Sequence, residues 1–67
     1  MELSDIPQKI IDGILDFTDE RPQFTSVAVR TDGIGGWHLQ YCKSVHGAEQ
    51  ITGGQNNTLV INVTEES

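Results

Sequence analysis

Cysteine is all but missing from this chain: Cys42 stands alone, so no disulfide can close within it, and the disulfide-stapled secreted miniproteins are excluded. A reducing compartment suits such a chain. Positive charge is also scarce, with 4 Lys and Arg against 10 Asp and Glu, a net charge of −6. Nucleic acid and anionic membranes would repel it at long range, so direct binding to either is not expected and basic partners are favoured. No apolar run nears the roughly 18 residues that span a bilayer. Met1 is followed by acidic residues, not by the basic start of a signal peptide, and a cytoplasmic location is therefore expected. Length is short as well: one small domain, 1–67. Chains of this size bury only about 60% of the surface that they expose when unfolded, so a partner or a second copy could supply burial that the fold lacks.

The charge that is present is unevenly placed. Residues 1–20 hold Glu2, Asp5, Asp12, Asp16, Asp19 and Glu20 against Lys9 alone, a net −5, whereas residues 21–64 are close to neutral. The same segment carries a helical period. Ile6, Ile10, Ile14 and Phe17 recur at three- and four-residue spacing, with Ile11 and Leu15 widening the stripe, which predicts a helix over 5–18. Ser4 or Asp5 can cap it, Pro7 is tolerated in its first turn, and Pro22 biases Arg21 away from helical angles. Gly13 is its weak point, at about 1 kcal/mol relative to alanine.

Beyond Pro22 the period falls to two. Strands are predicted over 24–31, with Val27 and Val29 on one face, over 36–42, with Trp37, Leu39 and Tyr41 on one face, and over 58–64, with Leu59, Ile61 and Val63. The Asp32-Gly33 pair marks a hairpin loop between the first two. Val60, on the polar side of its strand, implies that this face is partly covered, and 48–52 could add a short edge strand. The expected fold class is α+β: an N-terminal amphipathic helix packed on one face of a 3–4 stranded antiparallel sheet, in the order α-β-β-(β)-β, a two-layer arrangement. Its core would hold Ile6, Ile10, Ile14, Phe17, Val27, Val29, Trp37, Leu39, Tyr41, Ile61 and Val63.

Of the candidate functional features, the acids come first. At about 100° per residue, Asp5, Asp12, Asp16 and Asp19 fall within about 60° of one another, opposite Ile14, with Glu20 near the edge. One reading is a solvated face that serves solubility. The other is retention for binding. Asp12 and Asp16 are a like-charge i,i+4 pair, and Asp16 and Asp19 sit toward the helix C-terminus, where the macrodipole disfavours negative charge. At about one charge per 5 Å the row is far sparser than duplex DNA, with about one per 1.7 Å, so it could imitate one strand's phosphates at most.

His38, Cys42 and His46 are of zinc-binding type, but on a strand His38 and Cys42 would lie roughly 13 Å apart, so no metal is expected. His46-Gly47 reads as a turn. Gly33-Ile34-Gly35-Gly36 lacks the following helix and the Lys-Ser/Thr pair of a phosphate loop. Cys42 or Ser44 with His46 supplies nucleophile and base types without an elbow, an oxyanion donor set or an orienting acid, so no enzyme and no cofactor is expected. The glycosylation sequons at Asn56 and Asn62 read as chance matches.

The general character, short, acidic and without a catalytic motif, is similar to that of small phage or mobile-element proteins that inhibit a larger host complex, an analogy of type carried by no motif. The leading expectation is a non-enzymatic inhibitor that docks Asp12, Asp16 and Asp19, with Asp5 and Glu20 at the margins, on a basic, nucleic-acid-handling surface of a larger partner. The alternative is a self-associating domain or small subunit, a homodimer paired through a sheet edge or through Trp37, in which the acids serve solubility alone.

Overall fold

The computed structural model describes residues 1–52 and 56–63. A 3-10 turn at Leu3–Asp5 leads into helix α1, Gln8–Glu20, and then come strand β1, Ser26–Thr31, strand β2, Trp37–Cys42, helix α2, Val45–Thr52, and strand β3, Thr58–Asn62. The α+β class and the antiparallel sheet are as the periodicity implies. The fourth strand is not: residues 48–52 belong to α2, and the layout is α-β-β-α-β.

Helix α1 begins three residues later than its apolar stripe suggests, and Pro7 is the reason. The proline ring disfavours helical angles in the residue before it, and Ile6 is accordingly extended, at φ −90° and ψ 127°. Asp5 is thereby kept out of the helix. Its carboxylate accepts the Glu2 backbone N–H at 2.9 Å in the preceding turn. Ile6, freed from the helical path, is buried beside Ile14, Val27 and Val29 in one cluster, with Ile10, Ile11, Leu39, Tyr41, Leu59 and Ile61 at its margin. The helix also runs past Thr18, which is buried; its hydroxyl donates to the Ile14 carbonyl at 2.8 Å and so needs no solvent.

In the sheet, β1 lies between its neighbours, in the order β2-β1-β3, and pairs antiparallel with both. Val27 faces Tyr41 and Ile61, and Val29 faces Leu39 and Leu59, so the Val27/Val29 side collects the large aliphatic residues. The other side carries Ser26 and Ala28, and it too is covered. Ala28, Cys42 and Ala48 form a second buried cluster against which Val60 packs. This is the cover that an apolar Val60 implies, and it comes from α2.

Local chemistry starts α2. Ser44 sits before its first residue and accepts the Gly47 N–H on its hydroxyl at 3.1 Å, a side-chain cap of a helix N-terminus. The connection from β2 is clamped from the far side. Thr25 donates its hydroxyl to the Lys43 carbonyl and the fully buried Ser26 donates to the Ser44 carbonyl, each at 2.7 Å. His46-Gly47, expected as a turn, is therefore helical.

Two side chains hold the hairpin loop. Thr31 Oγ1 accepts the Gly33 N–H at 3.1 Å. Asp32 Oδ1 accepts the N–H groups of Ile34 at 2.8 Å and Gly36 at 2.9 Å, and these bonds keep its carboxyl below the usual value. Gly33 and Gly35 have φ of +81° and +95°, values that cost other residues about 1–2 kcal/mol. Gly13 needs no such freedom, since a Cβ there would meet nothing within 4 Å. Gly13→Ala should therefore stabilise the domain by about 1 kcal/mol and raise Tm by roughly 4–8 °C, as thermal denaturation would show.

Candidate acidic groove

Asp12, Asp16 and Asp19 are all exposed on α1, on the side away from Ile14, which is 1% exposed. Among the described residues none of the three is ion-paired. Asp12 accepts the Gln8 side-chain amide at 2.9 Å, one turn back along the helix. The two marginal members are occupied otherwise. Asp5 lies outside the helix, which corrects its place in the row, and Glu20 stands 3.6 Å from the Arg21 guanidinium.

What the helical wheel did not reveal is the apolar ground beside the row. Leu15, which widens the apolar stripe without belonging to the expected core, is 53% exposed. The wheel explains it: Leu15 lies about 100° from Ile14 but only about 40° from Asp19. Together with Asp16 and Asp19 it borders a groove of about 430 Å³ whose other walls include Pro22, Phe24 and Val63. Three separated segments thus meet at the C-terminal half of α1. The Val63 N–H donates to the Thr25 carbonyl at 3.0 Å, which carries the β1–β3 pairing up to the groove.

Phe24 is fixed from behind by an aromatic cluster. Phe17 stacks on Tyr41 with ring centroids 4.1 Å apart, and Phe24 lies 5.8 Å from Phe17 and 5.9 Å from Tyr41. The Arg21 guanidinium sits 4.1 Å over the Phe17 ring, a cation–π contact that also places Arg21 at the helix C-terminus, where the macrodipole favours a cation. Burial pushes the Tyr41 hydroxyl above its ordinary value, with Arg21 opposing. The groove thus has carboxylates on one rim beside the apolar side chains of Leu15, Pro22, Phe24 and Val63.

The remaining sequence candidates are dispersed. His38 is on β2, Cys42 is buried at the end of that strand, and His46 is on α2 with its imidazole 3.7 Å from Glu49. Among the described residues no group of three metal-ligating side chains is brought together. Ser44 is taken up as the cap of α2, and Asn57 ties the start of β3 to the Thr31 carbonyl at 2.7 Å. Trp37 is half-buried against the main cluster. No helix among the described residues is long and apolar enough to cross a membrane. Comparison with protein-family models, with curated proteins and with solved structures gave no match.

Proposed function

We propose that this chain is a non-enzymatic binding protein that lays the outer face of α1 on a basic surface of a larger partner, one that ordinarily handles nucleic acid, and occludes it. One observation carries this reading: Asp16 and Asp19 rim a groove that Leu15, Pro22, Phe24 and Val63 also line, together with Thr18. The reading takes α1 to be seated over Val27 and Val29 through Ile14, so that its acids point outward. Lysine or arginine side chains of the partner would meet Asp12, Asp16 and Asp19, and a neighbouring apolar side chain would enter between Leu15 and Phe24. Asp5 and Glu20 contribute at the margins, because each already has a partner within this chain.

Electrostatic complementarity of this kind acts mainly on association rate and is screened by salt. Asp12→Lys/Asp16→Lys should fold as the native chain does, since both residues are exposed, yet bind more weakly by about tenfold or more at low ionic strength. Capture from host lysate with the native and reversed chains as baits tests this directly. A protein retained by the native bait at low salt, released at high salt and missing from the reversed bait is the expected result; equal retention on both baits would sink the idea.

A second reading has its own observation: β2 and β3 are both edges of the three-stranded sheet, and open edges pair with other strands. In that reading the chain self-associates and the acids give solubility. Light scattering separates the two, because an edge-paired dimer would persist at high salt and the acidic docking protein would run as a monomer.

A further inference from the structure

The sheet face on the α2 side holds a second cavity, remote from the acidic groove. It measures about 440 Å³ and is bordered by Arg30, His38, Gln40, Thr58, Ile51 and Trp37 among others. Strand register explains the grouping. Arg30 stands opposite His38 on β2 and opposite Thr58 on β3, so the three side chains form one row across the whole sheet. They share the face of Ala28, two residues back along β1, where Ala48 of α2 packs. The Ala28, Cys42 and Val60 part of that face is covered by α2; Arg30 and His38, one row further on, are exposed.

Arg30 is unusual in this composition. The chain has 10 carboxylate side chains against 4 Lys and Arg, yet among the described residues Arg30 has no ion-pair partner. Asp32, two residues away, is committed to the hairpin through the Ile34 and Gly36 N–H groups. Gln40 and His38 extend the row of donors along β2. Among the described residues the Thr58 hydroxyl donates at a long 3.4 Å, to Asn57 Oδ1. Beside these polar groups stands Ile51, 59% exposed, as an apolar wall from the last turn of α2. A guanidinium offers five donors in a fixed fork, an amide and an imidazole offer more, and none of these needs a second cation to hold an oxyanion.

We propose that this cavity binds a small oxyanionic ligand, a carboxylate or phosphate borne on an apolar body. Arg30 takes the oxyanion through its fork, His38, Gln40 and Thr58 add single hydrogen bonds, and Ile51 covers the apolar part. The site lies on the opposite side of the sheet from the Val27/Val29 cluster, so it stands independently of the acidic groove and of any partner there.

Phenyl phosphate and benzoate, titrated separately into the full chain at low ionic strength, test the proposal. Backbone amide shifts locate binding, and Trp37, the single tryptophan, reports it by fluorescence. The expected result is a saturable response centred on Arg30, His38, Gln40, Thr58 and Ile51 with at least one probe, and the tighter probe tells phosphate from carboxylate. Arg30→Gln, at an exposed position, should keep the native amide spectrum elsewhere and weaken binding about tenfold or more. Arg21→Gln, beside Phe17, should leave binding unchanged. Ile51→Ser should weaken phenyl phosphate but not inorganic phosphate. No saturable response to either probe, an equal loss in both arginine variants, or shifts centred on Lys43 or Arg21 would each overturn the assignment.

Discussion

Ile14→Ala should remove about half of the stability of this domain. Ile14 is 1% exposed and shares its cluster with Ile6, Val27 and Val29, and truncating a fully buried isoleucine to alanine costs about 2–5 kcal/mol in lost transfer energy and residual cavity. A chain of 67 residues has, at about 0.05–0.15 kcal/mol per residue, only roughly 3–10 kcal/mol to lose. The adjacent position provides the control. Leu15 belongs to the same apolar run yet is 53% exposed, so Leu15→Ala should cost less than about 1 kcal/mol while removing one wall of the acidic groove. Urea unfolding followed by Trp37 fluorescence measures both. Comparable losses in the two variants, or a loss under about 1 kcal/mol for Ile14→Ala, would mean that α1 is not seated on the sheet through Ile14.

That contrast also marks how far the pattern of residues reaches. Outward placement of Asp12, Asp16 and Asp19 follows from the 3.6-residue period and the position of Ile14. The same arithmetic places Leu15 nearer Asp19 than Ile14, but a six-member apolar stripe absorbs it unless the angles are compared one residue at a time. The groove itself was beyond reach, because Pro22, Phe24 and Val63 meet Asp16 and Asp19 only once β1 and β3 are paired. Arg30 and His38 were closer to legible: a hairpin that joins Thr31 to Trp37 sets them opposite each other. Thr58 then requires the sheet order.

Helix α2 was concealed by its small residues. Its helical signal rests on Ser44, whose hydroxyl caps the helix, and on Val45, Ala48 and Ile51 at i,i+3 spacing, too few positions to outweigh the turn signal of His46-Gly47. Gly47 argues against helix by about 1 kcal/mol. Tertiary packing outweighs that penalty, since Ala48 is 0% exposed on the same face as Ala28 and Val60. The covered Val60 was the one trace of this helix in the strand pattern.

The packing of Ala48 against Ala28 makes Ala48→Leu a disruptive enlargement. Cα atoms of α2 lie within 8 Å of those in all three strands, a separation that depends on Ala28, Ala48 and Ser26 having little bulk. Three heavy atoms added at a fully buried position force the side chain off its rotamer or lift α2 from the sheet, at about 1–3 kcal/mol. Lifting α2 would move Ile51 as well, and Ile51 walls the cavity of Arg30 and His38. The variant should therefore show a lowered urea midpoint and also altered amide shifts at Arg30, His38 and Thr58, with the Ile14 cluster on the opposite face unperturbed. Ala28→Gly introduced beside it should recover part of both effects, because it returns volume at the point of contact. If Ala48→Leu instead unfolds within about 0.5 kcal/mol of the native chain, α2 is not held against Ala28, and the wall of the oxyanion cavity goes with it.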